Sequence, residues 1–567
     1  MANAASSVTY CNPLDLDYKY NFEEEWRNIS YRSGADPVLL NHGGEYILFS
    51  TIADGYWHSK DLRTWRHVKP EGWPEKDMVA PAALSAKGKV WVLPSTYERR
   101  PIYVLSDPGG PAPKLEIYSD KLPYLPGARG PWDPAFFYDE EKDEWYLYVG
   151  SSNLFPLYGI QLDEAERLNY VGAALEMIVL RPEIHGWERF GRDHRETIKP
   201  FMEGTWVTKH RGKYYLQYGA PGTEHNVYAN GTYVSDKPLG PWTYQAHNPV
   251  SYKPGGFVNG AGHGNTFQDK HGNFWNTGTP WIAVNYDFER RIAMFPAGFD
   301  KDGIMYANNR FGDFPQRIPT DKWERAEELF AGWMLLSYKK QAESSSARYP
   351  YGAVNVTDEN PRSFWLAETN RAGEKLTVDL AHVCEVRAVQ VNFTDYKSGL
   401  FASGPAVYTQ FLLHYSEDGK NWKTMADLRG EKRDRPNAYI ELPEPIKARF
   451  VQYEHVYVAS PNLAISDLRV FGKADGETPA APQKLTVRRD EDRRNAHVTW
   501  EDVGGVTGYN VLWGIAPDKL YSCYQVWADQ RPRLEVRALT TGQKYSFAIE
   551  AFNETGVSRM SEVVSVE

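Results

Sequence analysis

Short apolar runs separated by polar turns fill roughly the first 330 residues of the chain, and no long helical periodicity interrupts them. Five stretches share one pattern: "ADPVLLNHGGEYILFST" from Ala35, "VAPAALSAKGKVWVLPST" from Val79, "WDPAFFYDEEKDEWYLYVGSS" from Trp132, "EGTWVTKHRGKYYLQYGA" from Glu203 and "HGNTFQDKHGNFWNTGTP" from His263. Each reads as a strand, a turn of Gly or charged residues, and a second strand rich in aromatics, which is a β-hairpin. Outer hairpins follow, as in "GYWHSKDLRTW" and "GTYVSDKPLGPW". The copies recur roughly every 45 to 70 residues, a spacing that suits propeller blades with loop insertions. The pattern predicts an all-β protein whose first part, 1–333, is a five-bladed β-propeller.

In such a propeller the first strand of each blade lines the central channel, and the residue at its start faces the channel mouth. The repeat places Asp36, Ala80, Asp133, Glu203 and His263 there. Taken singly, Asp36 before Pro37 is turn chemistry, Glu203 before Gly204 can cap a turn, and His263 can be an ordinary buried histidine. Taken together, three carboxylates and a His converge on one axis. A scaffold that repeats its strands but varies this residue is a site carried on a fold.

Composition narrows the chemistry. Net charge is −10 with no long basic run, which excludes nucleic acid as the main partner. No run of 18 apolar residues marks a membrane span. Cys11, Cys384 and Cys523 are too sparse for a disulfide framework or a metal motif. The 19 Trp and 37 Tyr fill sheets and can also stack on sugar rings. Two carboxylates flanking a bond, one ionised and one protonated, are what glycoside hydrolysis needs, and a third nearby raises the acid's pKa.

The stretches "ADPVLL", "WDPAFF", "MEGTWVTKHRGKYYLQYG" and "GAGHGNTF", with "RRIAMFPAGFDKDGI" after them, together resemble glycoside hydrolase family 43 over residues 10 to 325. The resemblance implies Asp36 as general base, Asp133 as the acid that tunes and orients its neighbour, and Glu203 as general acid. It implies His263 as the channel histidine beside a water-coordinated cation, often calcium, in a structural role; the chemistry itself needs no cofactor. Arg290 is implied to contact the sugar, with Arg291 as the adjacent candidate; strand alternation lets only one of them face the channel. The mechanism expected is single displacement with inversion, the carboxyls standing about 6.5 to 9.5 Å apart. Trp57, Trp132 and Trp206 lie next to the site strands as candidate sugar platforms, with packing between blades as the alternative. The segment from Leu154 to Pro200 is long for a blade connection and reads as a pocket wall, which favours exo action.

After about residue 335 the pattern changes. Residues 334–474, with the Ser run 344–346, Asp358, Trp365, "LTVDL" and a closing strand, resemble a discoidin or factor 5/8 type C β-sandwich, a fold also used to bind carbohydrate. A Pro- and Ala-rich linker, 475–483, leads to a module at 484–567 that resembles fibronectin type III, with Leu539 and Tyr545 in the tyrosine-corner arrangement. Such modules are expected to be spacers. The expected activity is an α-L-arabinofuranosidase, then a β-xylosidase or β-galactosidase, acting as a monomer on plant-type polysaccharide or oligosaccharide. A non-catalytic sugar-binding propeller and a retaining glycosidase are the alternatives. The N-terminus shows no apolar signal core, yet the module set points to an extracellular or periplasmic protein whose signal peptide is not in this sequence.

Overall fold

Alternating apolar residues, β-branched and aromatic side chains and tight Gly turns dictate strands throughout, and short 3-10 turns are the only helical segments among the described residues. The computed structural model describes residues 8–20, 22–24, 29–74, 78–95, 101–119, 125–400, 406–530 and 532–567. No helix in them is long and apolar enough to cross a membrane.

Five four-stranded antiparallel sheets follow one another along the chain. Their innermost strands are Val38–His42, Val79–Ala86, Ala135–Asp139, Glu203–His210 and Thr266–Gln268. The first and fifth blades are joined where the Asn265 side chain exchanges two 2.9 Å hydrogen bonds with the Leu39 backbone. The N-terminal Thr9–Tyr10 pairs with Gln316–Arg317 outside the blades, and Asn12 bonds both ways to the Met294 backbone of blade 5. The ring is thus closed by side chains and by the chain's own start.

Each blade begins with the same backbone device. Asp36, Ala80, Asp133 and His263 all take positive φ, between 35° and 53°, where non-glycine residues are uncommon. The N–H groups of Asp36, Ala80 and Asp133 donate to Thr279, Thr51 and Ser95, hydroxyls at the end of the second strand of the preceding blade, at 3.1, 2.8 and 3.1 Å. Blade 4 departs from the sequence alignment: the positive φ belongs to Gly204, at 63°, not to Glu203. Glu203 pairs with Gly219 as Val79 pairs with Ser95, so it stands one residue earlier than Asp36 and Asp133. The reason is steric. A Cβ at residue 204 would fall 2.6 Å from the His263 ring, so only glycine fits and the carboxylate comes from its neighbour. The ladder slips at both strand starts, and such bulges commonly re-aim side chains beside active sites.

The two later modules are β-sandwiches. Met334–Leu335 through Ala464–Lys473 form one eight-stranded sheet system around buried Trp365. Thr486–Arg489 through Val564–Val566 form a three- and a four-stranded sheet, and the Tyr545 hydroxyl accepts the Thr540 N–H at 3.0 Å to make the expected corner. The expectation of a spacer does not hold. Trp187 and Tyr252 of the propeller share one apolar cluster with Val498 and Trp513 of the third module. A further cluster draws Phe311 and Phe314, Phe471, and Trp527 and Phe552 from all three modules. The linker is pinned too: Glu477 O accepts the Asn553 amide and Gln483 O accepts the Glu501 N–H.

Candidate active site

The positive-φ starts and the blade 4 bulge bring Asp36, Asp133, Glu203 and His263 to one end of the channel. One oxygen each from Asp133 and Glu203 and a ring nitrogen of His263 lie within 4.8 Å of one another. His263 Nδ1 is 3.0 Å from Asp36 Oδ1 and 3.8 Å from Asp133 Oδ2. The closer of these is a buried ion pair with Asp36. Arg290 Nη1 stands 3.8 Å from Asp36 Oδ1.

The two cations and the three acids sort one another. Burial alone would raise the Asp36 carboxyl, but His263, Arg290 and a hydrogen bond from the Thr51 hydroxyl outweigh it and hold Asp36 well below the usual carboxylate range. Asp133 goes the other way. Burial, opposed by His263 and helped by Glu203 and Asp36, pushes it up to about 7. Burial would lower His263, but Asp36 chiefly, then Asp133 and Glu203, raise it to about 9. At neutral pH the site therefore holds an ionised Asp36 and a protonated His263, beside an Asp133 that keeps its proton to far higher pH than an ordinary carboxyl.

Glu203 is positioned by residues the sequence did not single out. Tyr228 Oη donates to Oε1 at 2.5 Å, and Ser151 Oγ donates to Oε2 at 3.1 Å. Tyr228 is buried, its ring lying on Gly262, where a Cβ would fall 2.6 Å away. Thr51 links blades 1 and 2, accepting from Ala80 N–H while donating to Asp36. Thr51 and Ser151 each follow the second strand of their hairpin, a position the repeat could have flagged. Tyr228 sits in the connection between the second and third strands of blade 4, outside the aligned hairpins, and left no such signal. The half-buried Glu224, four residues before it, is raised by burial and by Glu203.

The remaining sequence candidates divide. Arg290 faces the site, with Nε on Phe288 O and Nη1 on Thr223 Oγ1 at 3.3 Å. Arg291 turns away to Arg32 O and Asn437 Oδ1. Trp132 is half-buried directly before Asp133, at the ladder position Glu203 holds in blade 4. Trp57 is not a sugar platform: it lies on the third strand of blade 1, buried against Tyr18 and His67, with Nε1 on Asp17. Trp206 is not one either, since it fills the channel between blades and donates Nε1 to Thr266 O at 2.9 Å. The segment from Leu154 to Pro200 is not one long connection: Leu157–Asp163 and Asn169–Ile178 are the outer strands of blade 3, the strands its blade needed, and only 179–200 is a loop beyond them. Phe190 meets the His225 ring edge-on at 4.8 Å, next to Glu224.

A structural calcium beside His263 finds few protein ligands here. Calcium takes about six to eight oxygens, whereas the cluster offers two carboxylates and a nitrogen already facing Asp36. The side chains alone do not make a calcium cage, so waters would have to complete a calcium's shell.

Comparison with known proteins gives three family matches in chain order: Glycosyl hydrolases family 43 over residues 28–305, F5/8 type C domain over 341–462 and Fibronectin type III domain over 480–567. The comparison with curated proteins gave no match. Similar solved structures include a glycoside hydrolase at 18% identity, covering 77% of this chain and 97% of that one, with TM-score 0.46. An endo-1,4-beta-xylanase from Bacteroides thetaiotaomicron has 20% identity, coverage of 54% and 97%, and TM-score 0.40. A family 43 protein from Bacillus licheniformis has 16% identity, coverage of 82% and 98%, and TM-score 0.41. The assignment rests on the family models: the propeller belongs to glycosyl hydrolase family 43, and the chain carries it ahead of an F5/8 type C and a fibronectin type III domain.

Proposed function

We propose that the propeller hydrolyses a terminal glycosidic bond with inversion. Asp36 is the general base and Glu203 the general acid; Asp133 sets the proton held by the acid pair. The observation that carries this reading is the division of charge at the channel mouth. Asp36, paired with His263 and Arg290, stays ionised and can take a proton from water. Asp133, held up by burial beside Glu203, keeps a proton on the acid side of the site. Glu203 is more exposed than Asp133 and stands on a bulge, so it is the member of the pair that reaches the leaving oxygen. Arg290, anchored by Phe288 and Thr223, contacts the sugar.

The connection 179–200, which brings Phe190 beside His225 next to Glu224, supports exo action. The family resemblance favours arabinofuranose, then xylose or galactose, from plant-type side chains. The domain set supports an extracellular or periplasmic setting. A panel of aryl glycosides assayed with wild type and Glu203→Ala tests the reading. It fails if wild type cleaves none of them, or if the variant cleaves as well as wild type.

A further inference from the structure

The second module reaches the mouth of the propeller site at one loop. This loop, 281–289, connects two strands of blade 5 and ends at Arg290. It begins two residues after Thr279, whose hydroxyl accepts the Asp36 N–H. Trp281 opens it, bonded to Asn259 and bridged to Arg290. Val284 packs into a cluster with Phe364, Tyr351 and Tyr396 of the second module. Two residues before Phe364, the Arg362 guanidinium lies 4.4 Å over the Trp281 ring.

Arg362 is short of an anion. Its Nη1 is buried with no acceptor, and no ion pair to it occurs among the described residues. Burial and the like charge of Arg192 both lower its pKa, to about 10, and no carboxylate acts to raise it. Arg192 is exposed and comes from the connection 179–200 on the propeller side. A buried charged nitrogen is normally paired. Here one is not: the Arg362 guanidinium is held in a fixed plane by an indole, the exposed Arg192 of another module acts on it as a like charge, and neither has an ion pair among the described residues. The His225 ring lies 6.5 Å from Trp281 on the other side, beside Glu224, so this cationic edge borders the catalytic mouth.

We propose that Arg362 and Arg192 receive the carboxylate of a uronic acid residue in the substrate, on the leaving-group side of the bond cleaved. The F5/8 type C domain then supplies part of the substrate site. The position relative to the bond rests on the glycosidase reading above; the carboxylate contact does not. A planar guanidinium matches a carboxylate through two parallel N–H donors, and stacking on Trp281 fixes the plane in which that fork is offered.

The test is calorimetric binding to the full chain of an arabino-oligosaccharide ending in galacturonate, against the same compound with its carboxyl reduced to the alcohol. Wild type should bind the acid about tenfold more tightly at low salt. The ratio should shrink as salt rises. It should fall towards one in Arg362→Gln and at least severalfold in Arg192→Gln, and Arg362→Lys should recover only part of it. Equal binding of the two forms by wild type, or a ratio unmoved in both glutamine variants, overturns the proposal. Arg192 is exposed, so its variant decides the matter if Arg362→Gln does not fold. Hydrolysis is followed in parallel: a chain that cleaves neither compound but keeps the binding ratio defeats the glycosidase reading and supports this one.

Discussion

Adjacent residues Arg290 and Arg291 serve two different clusters of buried charge. Arg290 joins the channel mouth, with His263 against Asp36, Asp133 and Glu203. Arg291 joins the interface with the second module, where Arg32 pairs with Asp395 and Asp434 and Glu289 lies close by. Each cluster holds three carboxyls and two cations, and in each burial pushes one carboxyl up to about 7: Asp133 at the mouth, Glu289 at the interface. A displaced carboxyl pKa is therefore no mark of catalysis in itself. The difference lies in what the oxygens meet. Glu289 is fully buried and its oxygens accept from Val284 N, Asn285 N and the Asn285 amide, all on its own loop. The carboxyls of the mouth stand at positive-φ or bulged strand starts and meet one another from different blades, with Glu203 only half-buried.

Substitutions separate the two clusters. The largest effect is expected at the mouth. Glu203→Gln should lower kcat/KM about 10²- to 10⁴-fold for glycosides with poor leaving groups and far less for activated aryl glycosides. Asp36→Asn should lower both alike; equal losses across leaving groups in both variants would remove Glu203 from the role of acid. At the interface, Arg32→Ala leaves Asp395 and Asp434 buried without their main partner. It should cost about 3–5 kcal/mol of stability, seen as a lower unfolding midpoint, while the folded fraction turns over at the wild-type rate.

The pH dependence sharpens the contrast. Asp133 must hold its proton for the acid pair to donate, so kcat/KM should fall as pH rises through about 7. Asp36 is held low, so no loss is expected as pH falls through the ordinary carboxylate range near 4. Glu289→Gln should leave the alkaline limb in place although that residue also titrates near 7. A limb that moves with Glu289 and not with Asp133→Asn would contradict the assignment. The smallest effect is expected at Tyr228→Phe, which removes one hydrogen bond to Glu203. It should cost about tenfold in kcat, with little change in the unfolding midpoint.

The repeat explains how much of this was legible. Asp36, Asp133 and His263 share one backbone position, so aligning the hairpins was enough to bring them together. Glu203 was found by the same alignment but placed one residue out, because the clash that requires Gly204 is a contact with His263, 59 residues away. Alternation limited the choice between Arg290 and Arg291 without making it. Trp57 and Trp206 adjoin the site strands along the chain, but the third strand of blade 1 and the packing between blades claim them, the alternative the sequence left open. Tyr228 and Arg362 were invisible, since nothing local encodes which loop a distant module or connection will touch. For the same reason the third module was expected to be a spacer. Its strands were plain in the sequence, but their packing against Trp187 and Tyr252 was not.

The central claim is that Asp36 activates water for direct attack. Proton NMR of the first product formed by the wild-type chain tests it, on whichever aryl glycoside is cleaved, before the anomers equilibrate. The account predicts a product of inverted configuration at the anomeric carbon. A product that first appears with the configuration of the substrate would mean a covalent intermediate and would contradict it.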